Sequence, residues 1–151
     1  MTADVDFMRQ ALMLARDAAT AGEVPVGAVV TYSGAIVGRG YNEPVRRQDP
    51  TWHAEMAALR ASAAQLGRYR LTDCTLYVTL EPCPMCAAAM VHARIARVVF
   101  GAWDPRQGAA GSVFNLLSNA ALNHRVDAFG GVLSTECGEL LREFFRARRE
   151  P

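Results

Sequence analysis

The chain has 151 residues, a formal net charge of +1 and 21% charged side chains, and all of its positive side chains are arginine. With 51% hydrophobic residues, a chain of this size supports a buried core, which excludes a disordered polypeptide; the near-neutral charge excludes a bulk electrostatic grip on a polyanion. A nucleic acid recognised by shape and pocket stays open. The absence of lysine reads first as compositional bias. The longest apolar runs fall short of the ~20 residues of a membrane-spanning helix. The segment MTADVDFMRQ carries no basic start followed by an apolar stretch, so a cytoplasmic protein is expected.

In chain order, apolar residues from Asp4 to Ala21 recur at helical spacing, with Asp4 as the expected N-cap and Gly22 as the glycine that ends the helix. VPVGAVVTY and AIVGRGY flank Ser33-Gly34 and read as a hairpin. The polar stretch NEPVRRQDP reads as a loop. Thr51 offers a cap for a helix from Trp52 to Gln65. Thr75–Leu80 is β-rich, CAAAMVHARI after Pro84 is helical, and ARVVFGA is a further strand. DPRQGAAGS reads as a long loop, RVDAF with GGVL as a weaker strand, and CGELLREFFRARR as an amphipathic helix. No repeat or linker interrupts the chain, so residues 1–151 are expected to form a single domain. Strands alternating with helices imply a mostly parallel sheet, helices on both faces and one leading hairpin.

Two segments carry chemistry. His53-Ala54-Glu55 opens the second predicted helix, and Pro82-Cys83-Pro84-Met85-Cys86 opens the third. Three-residue spacing puts Cys83 and Cys86 on one face of a first helical turn, where the helix N-terminus favours thiolates. Both helix starts can converge at one edge of the sheet. One imidazole and two thiolates supply three ligands to Zn²⁺ and leave a fourth position for water, the catalytic pattern. Glu55 lies beside a ligand without being required as one, which suits a proton carrier. Two other readings stand beside this one. CPMC alone also matches a thiol–disulfide oxidoreductase. A structural zinc would need a fourth ligand from His92, Cys74 or His124. Cys74 and Cys137 are most simply small buried hydrophobes.

The pairing H-x-E with P-C-x-x-C is the signature of zinc nucleobase deaminases. EVPVGAVV, GYN, DPTWHAEMAALR, YRLTDCTLYVTLEPCPMCAAAM, ARVVFGAWDP, GAAGS, NHR and FFRARR extend the likeness over nearly the whole chain. The sequence thereby resembles the bacterial tRNA-specific adenosine deaminases of the cytidine/deoxycytidylate deaminase superfamily. That resemblance implies a three-layer α/β/α cytidine-deaminase-like fold with a five-stranded mixed sheet. It implies hydrolytic conversion of a wobble adenosine in a tRNA anticodon to inosine, by water activated on one zinc per subunit. His53, Cys83 and Cys86 are the implied ligands and Glu55 the implied proton shuttle. Asn42, the backbone at Ala54 and the side chain of Val26 are the implied base pocket. Asp104, Phe145 and Arg148 are implied RNA contacts, the partner is a tRNA anticodon stem-loop, and a homodimer is expected. A guanine or cytosine deaminase of the same superfamily acting on a free base is the alternative.

Overall fold

The computed structural model describes residues 2–149. Its elements are α1 (Thr2–Thr20), β1 (Gly27–Tyr32), β2 (Ala35–Tyr41), α2 (Pro44–Arg47), α3 (Ala54–Leu66), β3 (Cys74–Leu80), α4 (Pro84–Ala93), β4 (Arg97–Ala102), β5 (Asp127–Gly130) and α5 (Ser134–Arg149). The strands form one sheet in the order β2-β1-β3-β4-β5. Alternate strand residues face opposite layers, as a period of two requires. Ala28, Val30, Leu76, Val78, Val98 and Phe100 pack with α3 and α4, while Val29, Tyr77 and Val99 pack with α1 and α5. This is the expected three-layer α/β/α arrangement.

The sheet is mixed, with β1 alone reversed: β1 pairs antiparallel with β2 and β3, and β4 pairs parallel with β3 and β5. The leading hairpin explains the one reversed strand. α3 carries the chain from the end of β2 to β3, which runs the same way as β2 but docks on the far side of β1. It therefore opposes β1. At the hairpin, Ser33 and Gly34 both have positive φ (50° and 79°), the backbone a tight two-residue β-turn requires.

Local boundaries differ from the sequence reading for identifiable reasons. Asp4 lies inside α1 instead of capping it, because its carboxylate is engaged across the core edge: it accepts from the Tyr77 hydroxyl at 2.7 Å and from Arg97 at 2.5 Å. The polar stretch after Asn42 contains the short helix α2. Pro44 fits its first turn, and the buried Glu23 accepts the amides of Val45 (3.3 Å) and Arg46 (2.7 Å). That capping group comes from over twenty residues away, so no local pattern reveals it. Thr51 and Trp52 precede α3, whose N-cap is His53. Of GGVL only Gly130 belongs to β5; Gly131, Val132 and Leu133 turn into α5. Among the described residues, no helix is long and apolar enough to cross a membrane.

Candidate metal centre

α3 lies against β2 with almost nothing between the two backbones. A Cβ at Gly38 would come within 2.0 Å of Ser62 Oγ and 2.5 Å of the Ala58 carbonyl, and one at Gly40 within 2.6 Å of the Ala54 carbonyl. The glycines of AIVGRGY thus let the helix ride directly on the strand, which brings its first residues to the end of the sheet. There Val26 is buried and its carbonyl accepts the Asn42 N–H at 3.1 Å. Asn42 Oδ1 in turn accepts the backbone N–H of Ala54 at 2.7 Å.

That bond completes an unusual cap. His53 is the N-cap of α3, in extended backbone conformation (φ −84°, ψ 156°), but its side chain makes no capping hydrogen bond. Asn42 satisfies one of the orphan amides instead, so the imidazole is free to point elsewhere. It points at sulfur. His53 Nδ1 lies 3.5 Å from both Cys83 Sγ and Cys86 Sγ. Cys83 is the extended N-cap of α4 (φ −75°, ψ 171°), Pro84 follows it at the start of the helix, and Cys86 is buried on the first turn.

The donor atoms of His53, Cys83 and Cys86 all lie within 4.8 Å of one another. A tetrahedral ion with Zn–N near 2.0 Å and Zn–S near 2.3 Å separates those atoms by ~3.6 Å, so the spacing present fits zinc. Glu55 is buried in the first turn of α3 and falls outside that donor set. Burial pushes its carboxyl up to about 7, and the neighbouring Cys83 thiolate adds to the rise. Cys83 is held down at about 4, chiefly because the Cys86 thiol donates to it, with His53 also donating. Cys86 is correspondingly pushed up as the donor of that pair and by burial. His53 is raised by its bond to Cys83. These directions put the negative charge on the Cys83 sulfur, with Cys86 as its thiol donor, beside a carboxyl raised toward neutrality.

The remaining expected residues separate. None of the four cysteines is paired in a disulfide among the described residues. Cys74, at the start of β3, is buried at the strand end opposite the Cys83 turn, and Cys137 is buried against β4. His124 is bonded to the Ile95 carbonyl at 2.7 Å. None of these residues, nor His92, joins the donor cluster among the described residues, so a closed four-ligand structural site is not formed. Asp104 caps its own turn by accepting from Arg106 at 2.9 Å, beside the exposed Trp103. Phe145 is exposed and edge-on to Phe144; Arg148 stacks over Phe144 and bonds the Gly22 carbonyl. Sequence reasoning missed Glu81, buried next to the metal turn. Its signal was an acidic residue at the end of an apolar strand, where a buried carboxylate needs dedicated donors.

Comparison with known proteins adds to this geometry. The family model described as the cytidine and deoxycytidylate deaminase zinc-binding region matches residues 1–102. A tRNA-specific adenosine deaminase of Bacillus subtilis is 45% identical over 150 residues, covering 99% of this chain and 93% of that protein. The protein of the same name from Haemophilus influenzae is 49% identical over 148 residues, covering 97% and 86%. A solved structure from studies of A-to-I editing by tRNA:A34 deaminases at the wobble position superimposes with a TM-score of 0.87 at 43% identity, covering 90% of this chain and 99% of that one.

Proposed function

Because the chain belongs to the cytidine and deoxycytidylate deaminase family, we propose that it converts the adenosine at the wobble position of a tRNA anticodon to inosine, releasing ammonia. In this reading His53, Cys83 and Cys86 hold one zinc ion per subunit, and Glu55 is the proton carrier. The observation that carries it is the three-donor cluster beside a buried, non-ligating carboxyl. The near-complete alignment with tRNA-specific adenosine deaminases supports the substrate.

Zinc held by these three donors would supply Lewis-acid activation of the attacking water. The chain's own residues do the rest. Glu55, poised near neutrality by burial, carries the first proton of that water to a ring nitrogen of adenine and the second to the departing amine, which leaves as ammonia. Glu55 falls outside the three-donor set, so its carboxyl is not required as a ligand. Asn42 spends its oxygen on Ala54, so its amide N–H₂ is the group left to donate to the base. The buried Val26 closes one wall and the Ala54 backbone another. The wobble nucleotide lies in an unpaired loop, so taking its base out of the stack costs less than flipping from a duplex.

Asp104, Phe145 and Arg148 are the RNA contacts of the proposal. The active form is a homodimer, for which the exposed Val113 and Phe114 offer apolar surface. A tRNA substrate places the enzyme in the cytoplasm.

Incubation with an anticodon stem-loop carrying a wobble adenosine, followed by nucleoside analysis, tests the reading. Inosine is the expected product. No inosine, together with ammonia released from free guanine or cytosine, would replace it with the free-base alternative.

A further inference from the structure

Glu81 directly follows β3 and precedes the turn that carries Cys83. It is 1% exposed, and no arginine or histidine forms an ion pair with it among the described residues. Instead the carboxylate collects four donors from one loop. Oε1 accepts the Asp104 N–H at 2.9 Å and the Ser112 hydroxyl at 2.5 Å; Oε2 accepts the amides of Ala110 at 3.0 Å and Ser112 at 3.1 Å. The same loop grips the turn itself: the Ala109 N–H donates to the Pro82 carbonyl at 2.8 Å. On the other side, the Glu81 N–H donates to the Ala102 carbonyl at 2.8 Å. Gly108 makes this contact possible, since a Cβ there would lie 2.3 Å from the Glu81 carboxyl carbon.

We propose that Glu81 is a positioning residue that locks residues 104–112 onto the Pro82-Cys83 turn and thereby fixes the Cys83 donor atom for the metal. The inference rests on Cys83 being a ligand, as proposed above. A carboxylate is the side chain this place requires. Its two oxygens offer the acceptor sites for four donors, and charge-assisted bonds are the strong kind. Glutamine has one acceptor oxygen and would turn its own N–H₂ group toward incoming N–H donors. The turn is then held by the Ala109 bond alone on that side. The outer limb of the same loop bears Trp103 and Asp104, so one buried group ties the metal turn to a segment at the molecular surface.

The test is zinc release from the purified full-length protein to a chromogenic chelator, with the absorption spectrum of the Co²⁺-substituted protein as a second readout. Glu81→Gln is expected to release zinc on the order of 10-fold to 100-fold faster, the range for groups that orient metal ligands. Its thiolate-to-cobalt charge-transfer and d–d bands are expected to shift. Gly108→Ala, which pushes on the carboxylate from the loop side, should move both readouts in the same direction. Ser112→Ala removes one donor only and should give a smaller acceleration; it decides the matter if the other two variants do not fold. A lowered melting temperature with release rate and cobalt spectrum unchanged would make Glu81 merely structural and overturn the proposal. Wild-type protein that binds no metal at all would instead overturn the proposed function.

Discussion

Asn42 Oδ1 accepts the N–H of Ala54 at 2.7 Å, so a side chain at the end of β2 caps the helix whose own N-cap residue, His53, faces sulfur. One hydrogen bond thus frees the imidazole proposed as a metal donor and anchors the start of α3 to the sheet. Substitutions at Asn42 should separate the two jobs of its amide. Asn42→Asp keeps an acceptor for Ala54 but loses the N–H₂ donor: the melting temperature should hold while kcat/KM on a stem-loop substrate falls about 10-fold or more. Asn42→Ala loses both and should also cost about 1 kcal/mol of stability, the usual value of a lost cap. Equal activity in Asn42→Asp and wild type would remove Asn42 from the base pocket.

Glu55 and His53 should fail in different ways. Glu55→Ala is expected to retain about one zinc per chain by elemental analysis and to lose about 10²–10⁴-fold in deamination rate, the usual contribution of a positioned acid–base group. Zinc lost along with activity would make Glu55 a ligand. His53→Ala removes one of three donors and should emerge from purification without stoichiometric zinc. Zinc retained there would point back to thiol chemistry at Cys83 and Cys86.

The close seat of α3 on β2 predicts a stability effect at a residue that carries no reacting group itself. Gly40→Ala places a methyl 2.6 Å from the Ala54 carbonyl and 2.8 Å from the Ala58 nitrogen, both helix backbone. Denaturant melts should show a loss of about 1–3 kcal/mol, as for other forced insertions into close packing. Activity should fall further than stability accounts for, because the displaced backbone is the one that bears Glu55. An unchanged melt would mean that the helix slides freely on the strand.

Asp4 ties the pH dependence of stability to the opposite layer. Burial raises its carboxyl, but donation from Arg97 and Tyr77 outweighs burial and holds it below its ordinary 3.8. A carboxyl depressed in the folded state contributes stability that is present above its unfolded value and lost as pH falls through the folded one. Urea melts between pH 5 and pH 2 should therefore be steeper in pH for wild type than for Asp4→Asn. Parallel curves would show that the bridge to Arg97 contributes nothing.

The sequence by itself determined both chemical segments and the order of the elements other than α2, because each is written locally. Apolar spacing at periods of two and 3.6 marks most strands and helices. H-x-E and P-C-x-x-C set donor atoms at helix starts, where thiolates are favoured, and the likeness carried by those motifs led to the deaminase family. The comparisons agree with that family and with the substrate read from the flanking segments. Only tertiary structure decided what depends on partners distant in the chain. β3 docks on the far side of β1 and pairs antiparallel with it. Glu23 caps α2 from across a hairpin, and Asp4 leaves its cap for Tyr77 and Arg97. Asn42 takes over the cap that His53 gives up, and Glu81 gathers Asp104, Ala110 and Ser112 around the metal turn. The physical reason is common to all of these. A polar group that loses water on burial must find its hydrogen-bond partner in whatever the fold brings next to it, and periodicity along the chain carries no record of that neighbour.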